Sequence, residues 1–215
     1  MRRCRKILHG IGTVLGSSDP AEQPVAEAPA AAHIADAIAQ ARVAPADIKA
    51  VALGRGPALF TGLRVGMAAA IMFAEGVGAK TFGVVSLDAL ALTAFSLGAN
   101  ATAQSPILIT TDARRGELYY AAYSGLDAFG APIAIEGPGV MKPAELDDHL
   151  ANRNLAPIRF VGGQDVAVSA AALGQVFAAQ QAGGNANQDI TALYLREADA
   201  VAPVSNRLAG KKVSS

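Results

Sequence analysis

The chain has 215 residues, and its 18 basic and 18 acidic side chains give a formal charge of zero. Phosphate backbones are gripped by an excess of Lys and Arg, so this balance argues against a free-standing nucleic-acid binder. A composition 52% hydrophobic and 17% charged belongs to a chain that buries a core, and it excludes the disordered class.

A single cysteine, Cys4, supports neither a disulfide framework nor a structural zinc cluster and fits a reducing, cytoplasmic setting. The longest strongly apolar run, Val65 to Ala74, is closed by Glu75. It is shorter than the roughly 20 residues that cross a bilayer, so no span is expected. The basic opening MRRCRKILHG is followed by glycines rather than an apolar run, which reads as an unprocessed start.

In chain order, Ile11 to Leu15 is weakly strand-like, and Pro20 to Ala32 is a loop punctuated by Pro20, Pro24 and Pro29. From about Ala30, Ile34, Ala37, Ile38 and Ala41 recur at helical spacing until a stop before Pro45. Ile48 to Leu53 reads as a strand ending in Gly54, Gly56 and Pro57, and a helix follows from about Thr61 to Ala74, with Thr61 as its cap. Thr81 to Val85 is a second strand, after which Ser86 caps a helix carrying Leu87, Leu90, Ala91 and Phe95. Two β/α units in succession imply a partly parallel sheet with helices packed on it.

Pro106 to Thr111 and Leu118 to Tyr123 flank a charged segment of hairpin-loop length. Pro143 opens a helix bearing Leu146 and Leu150, Ile158 to Val161 is a strand, and an Ala-rich helix runs from about Asp165 to Ala179. A Gly/Asn linker, Gly183 to Gln188, precedes Leu193, Tyr194, Leu195 and a basic tail.

The most informative segment is Leu53 to Ala74, LGRGPALFTGLRVGMAAAIMFA. Gly62, Gly66, Ala70 and Ala74 fall every four residues, so one helix face is nearly bare and admits close approach by another backbone. Leu63, Met67, Ile71 and Phe73 supply a sheet-facing core, and a helix apolar nearly all round needs covering on both sides. Two readings stand: a central core helix, or a helix that docks against a partner.

A phosphate-loop reading fails, because no Gly-Lys-Ser/Thr ending is present and Leu59 stands where a dinucleotide fingerprint needs glycine. Arg55 and Arg64 are candidate anion contacts, although an exposed or structurally paired arginine is the commoner outcome. His9, His33 and His149 lack metal-ligand spacing, no Ser lies in a nucleophile elbow, and Asp112, Arg114, Arg115 and Glu117 read as a solvated hairpin tip.

Gly56, Pro57, Phe60, Thr61, Gly62, Leu63, Arg64 and Gly66 in GRGPALFTGLRVG resemble the signature GPGSFTGLRIG of the TsaB family of bacterial tRNA threonylcarbamoyladenosine biosynthesis proteins. VVSLDALA from Val84, TDARRGELYY through Tyr120 and the stretch from Leu193 to Asp199 resemble later family segments in the same order, covering about residues 30 to 203.

The resemblance implies an α/β fold of the ASKHA type, the two-lobed architecture of actin and sugar kinases. It divides the chain into an N-terminal lobe (1–102), a C-terminal α/β lobe (103–203) and a flexible basic tail (204–215). It also implies a non-catalytic, cytoplasmic subunit that pairs with and activates a TsaD-like transferase, alongside a TsaE-like ATPase.

Under this reading tRNA is reached only through the complex, no membrane is involved, and self-pairing of the free protein stays open. The chain would have no cofactor of its own, ATP entering at the level of the complex. The implied partner interface is Gly56, Pro57, Phe60, Thr61, Gly62, Leu63, Arg64, Gly66 and Ala70. Catalytic relatives hold a metal with paired histidines, where this chain offers only His33.

Two departures stand out. Ala58 and Leu59 replace Gly and Ser of the signature, and residues 1–30 lack the family's usual opening strand. The first lobe is therefore expected to miss part of its sheet, through a misplaced start or a real loss. The competing reading is an active nucleotide-binding kinase-like transferase of the same superfamily, and proteolysis finds neither a zinc motif nor a nucleophile.

Overall fold

The computed structural model describes residues 30–196, so the expected strand at Ile11 to Leu15, Cys4, His9 and the basic tail lie outside the described residues. The first helix, α1 (Ala30–Ala41), turns His33, Ile34, Ala37, Ile38 and Ala41 to one half-buried side. Strand β1 (Ala50–Gly54) pairs in parallel with β2 (Lys80–Val84), from Ala50 opposite Lys80 to Gly54 opposite Val84. Helix α2 (Phe60–Val77) makes the crossover that a parallel pair requires.

Neither expected cap of these helices forms. Leu59 is the N-cap of α2 and Val85 that of α3 (Ser86–Ser96), without a side-chain hydrogen bond in either case, so Thr61 and Ser86 belong to the helices themselves. Helix α2 also runs on to Val77, because the first residue to take a left-handed conformation is Gly78, at φ 68°. There the Ala79 N–H bonds back to the Ala74 carbonyl at 2.9 Å.

A second sheet has the order β5-β4-β3-β6, with β3 (Ile107–Asp112), β4 (Leu118–Leu126), β5 (Pro132–Met141) and β6 (Ile158–Val161). Strand β3 is antiparallel to β4 and parallel to β6. Period-two alternation splits its core. Ile107, Ile109, Ala121 and Tyr123 face Leu87, Leu90, Ala91 and Ala94 of α3. Leu108, Tyr120 and Ala122 face Leu146 and Leu150 of α4 (Pro143–Asn152), which starts with proline in its first turn as the sequence predicts.

Helix α5 (Ala170–Ala182) returns the chain to the first sheet, where Val176 packs with Val84 and Leu92, and Phe177 lies 4.8 Å from Phe82. It starts later than the predicted Asp165. The Asp165 carboxylate accepts from the Val161 N–H at 2.7 Å and so closes the turn after β6, and the helix begins only where Ser169 Oγ accepts from the Ala172 N–H at 3.0 Å.

Strand β5 was not among the expected elements, and its EGPGVM stretch carries turn residues. It forms as the sheet's edge, with register shifts against β4, and Gly139 lies beneath the Tyr120 ring, where a Cβ would stand 2.6 Å from Cε1. Edge strands tolerate such residues.

Candidate interaction surface

The turn from β1 into α2 is fixed by Gly56, whose φ is +100° and whose Cβ, if it had one, would meet Leu63 Cδ2 at 3.1 Å and the Leu193 carbonyl at 3.3 Å. Only glycine suits that backbone. The Gly56 carbonyl accepts from the Ser86 N–H at 2.8 Å, Pro57 follows through a cis peptide, and both residues are buried. Ala58 keeps a negative φ, so the departure from the signature glycine is accommodated.

Each step of four residues advances about 40° around a helix of 3.6 residues per turn. The stripe Gly62, Gly66, Ala70 and Ala74 therefore winds from the flank of α2 into the core. Ala74 is fully buried, and Ala70 packs against the cluster of Leu53, Leu63 and Met67, closed from the other side by Ile190 and Ala192. At Gly66 the space is open, with nothing within 4 Å of an added Cβ. Leu63 and Met67 face inward as expected, while Ile71 and Phe73 are half-buried.

The exposed side of α2 is nonetheless apolar. Val65 is 51% and Met72 74% exposed, with Thr61 and Ala68 exposed beside them. Seven residues apart, Val65 and Met72 share a helix face. Sequence reasoning passed over both; an apolar helix whose inward face was already filled by Leu63 and Met67 was the signal for them.

The nine residues singled out from the sequence do not form one surface. Gly56, Pro57 and Leu63 are buried, Gly62, Gly66 and Ala70 lie at the margin, and Phe60, Thr61 and Arg64 are exposed. By length and composition α2, at 18 residues and a mean hydropathy of 1.3, does reach the range of a membrane span, contrary to the reading of Val65 to Ala74 alone. Only Leu63, Met67 and Ala74 of its residues are buried in the fold.

Both arginines near this turn are structurally paired. Arg55 Nη1 bonds the Asp189 carboxylate at 2.6 Å. Hydrogen bonds from Thr191, with a smaller contribution from Arg55, hold that carboxyl below its ordinary range. Arg64 Nε donates to the Tyr194 hydroxyl at 2.7 Å, and its guanidinium lies 3.9 Å from the centroid of the Phe60 ring.

The charged hairpin tip divides. Asp112 and Arg114 form an exposed pair at 3.0 Å, and half-buried Glu117 is held by Arg196. His149 lies 3.2 Å from Glu136, which Arg153 also pairs at 2.8 Å, while His33 sits apart on α1. Among the described residues no three His, Cys, Asp or Glu side chains converge.

The family model of the tRNA N6-adenosine threonylcarbamoyltransferase TsaD matches residues 29–214. The chain belongs to the TsaD family. Within it the chain is TsaB-like. The tRNA threonylcarbamoyladenosine biosynthesis protein TsaB of Escherichia coli (strain K12) is 37% identical over 97 residues, 45% of this chain and 40% of the relative.

An uncharacterized protein of Mycobacterium leprae is 40% identical over 111 residues, 52% of this chain and 27% of that protein. One of Mycobacterium tuberculosis is 37% identical over 115 residues, 54% of this chain and 47% of its own length. The chain thus spans less than half the length of these curated relatives.

Among solved structures, an uncharacterized Pseudomonas aeruginosa protein with similarity to peptidase YEAZ superposes with a TM-score of 0.64 at 20% identity, over 80% of this chain and 84% of that one. YeaZ from the same organism gives 0.62 at 19%, over 77% and 83%. These likenesses show the fold, the α/β ASKHA-like architecture expected from the sequence.

Proposed function

We propose that the chain is a non-catalytic, cytoplasmic subunit that docks on and activates a TsaD-type transferase during formation of N6-threonylcarbamoyladenosine in tRNA. In this reading a TsaE-type ATPase brings ATP to the assembly, and tRNA is met only through the complex. The observation that carries it is the open apolar side of α2, where Val65 and Met72 lie 51% and 74% exposed beside a clear space at Gly66.

Covering those two side chains is worth about 2–4 kcal/mol at the usual value of apolar burial. Activation follows only if the contacts differ between the partner's inactive and active conformations, since equal affinity for both shifts nothing. Because a side chain at Gly66 meets open space, Gly66→Leu is expected to leave the fold intact while blocking close approach.

The test is a calorimetric titration of the full chain with the TsaD-type subunit of its own genome. Micromolar or tighter binding that Gly66→Leu and Met72→Glu each weaken at least 30-fold, roughly 2 kcal/mol, supports the docking face. Undiminished affinity in both variants overturns it.

A second reading, a nucleotide-binding transferase in its own right, is favoured by the family model's own description as the transferase. Titration of the isolated chain with ATP and Mg²⁺ separates the two, tight one-to-one binding favouring the enzyme.

A further inference from the structure

Helix α2 carries two charged residues, Arg64 near its start and Glu75 near its end, with Ala68 between them and Val65 and Met72 alongside. At about 100° per residue, Arg64, Ala68 and Glu75 fall within about 40° of one another, so the charges bracket the exposed apolar side.

The Arg64 guanidinium is held in place before any partner arrives. Its plane lies against Phe60 at 3.9 Å and near Tyr194 at 5.6 Å, and its Nε is committed to the Tyr194 hydroxyl. Neither terminal nitrogen has a partner among the described residues. An exposed guanidinium fixed at Nε and stacked on an aromatic ring presents its remaining N–H groups as a fork that matches the two oxygens of an oxyanion. Arg and Tyr are also the residue types that anchor protein interfaces.

We propose that Arg64, stacked on Phe60 and held by Tyr194, is a preformed clamp for a carboxylate of the docking protein. With Glu75 it sets the direction in which a partner helix lies, acidic side chain at Arg64 and basic side chain at Glu75. A phosphate would fit the same fork, but α2 offers one basic residue and the chain no net positive charge, whereas a phosphate backbone is held by several cations. This rests on the reading of α2 as the face that meets the transferase subunit.

The experiment measures affinity of the full chain for that subunit at low and high salt, with melting temperature as the control for folding. Arg64→Lys, which keeps the charge but loses the fork, is expected to bind about 10-fold more weakly, and Arg64→Glu about 100-fold. Arg64→Lys should keep the salt dependence and Arg64→Glu should lose or invert it, and reversing an acidic residue of the transferase to Lys should restore binding to Arg64→Glu.

Unchanged affinity and salt dependence in both Arg64 variants, with binding still lost in Met72→Glu, overturns the clamp and leaves the docking face standing. If the unaltered chain fails to bind the transferase, both fall. Retention of a tRNA probe by the isolated chain, abolished by Arg64→Glu, would assign the fork to phosphate and overturn the carboxylate proposal.

Discussion

Asp88 sits in the first turn of α3 and accepts a hydrogen bond of 2.8 Å from the fully buried Tyr123 hydroxyl. Burial pushes its carboxyl from the ordinary 3.8 up to about 6, with the Tyr123 bond acting in the opposite direction. Between those values the folded chain holds a proton that the unfolded chain releases. Stability contributed by Asp88 is therefore complete below about pH 4, falls as pH rises toward 6, and stays lower above it.

At 1.36 kcal/mol per pH unit the whole displacement is worth about 3 kcal/mol. Asp88→Asn keeps an acceptor for Tyr123 and cannot ionise. It forgoes a favourable charge at a helix start, about 0.5 kcal/mol, and must place an amide N–H₂, about 1 kcal/mol. The expected net gain at pH 7.5 is about 1–2 kcal/mol.

The assay is urea unfolding of both proteins from pH 4 to 8. The difference between them cancels every other titrating group, and it should move in favour of the variant by about 2–3 kcal/mol across that range. A difference that stays constant with pH would refute the buried-carboxylate argument. Tyr123→Phe should steepen the dependence, because the hydroxyl is what favours the ionised form.

Three further substitutions probe the frame around the surface. Ser169→Ala removes the side-chain cap of α5 and should cost about 1 kcal/mol in urea unfolding without altering partner affinity. Gly83→Ala would place a Cβ 2.2 Å from the Asp189 carbonyl oxygen, so the segment after α5 must shift; the expected cost is about 1–3 kcal/mol, with faster hydrogen exchange over residues 187–193. Arg42 follows α1 with a φ of 52°, and Arg42→Gly should raise stability by about 0.5–1 kcal/mol, read as a shift in the urea midpoint.

What the sequence made legible was local. Pro143 followed by Leu146 and Leu150 predicted α4 because the first helical turn tolerates proline and the two leucines share a face, and both leucines are buried. The turn ahead of α2 was legible because Gly56 has a conformation that few other residues adopt. Strand β5 was not, since Gly137, Pro138 and Gly139 are turn-forming residue types, and only the fold shows the Tyr120 ring resting on Gly139. Nor was the setting of Arg64, whose hydroxyl partner is 130 residues away and declares itself in no periodicity. The small-residue stripe was real as a pattern, but four-residue spacing winds it into the core, and the open apolar side lies next to it.

The same long-range pairing explains why α2 can present that side without collapsing onto it. After α5 the chain crosses the first sheet. The Asn187 carbonyl accepts from the Gly83 N–H at 2.9 Å, and the Leu193 N–H donates to the Arg55 carbonyl at 2.7 Å. Between them Asp189 pairs with Arg55, and Ile190 and Ala192 close the inward cluster of α2. Tyr194 then fixes Arg64, and Arg196 reaches Glu117 at the β3–β4 tip, so one strap joins the foot of α2 to the second sheet. Apolar contact alone is non-directional and would let α2 roll to hide Val65 and Met72. The strap's one bond to α2, from Arg64 Nε to the Tyr194 hydroxyl, is directional, and with Ile190 and Ala192 packed on the inward cluster it favours the rotation that leaves those side chains outward.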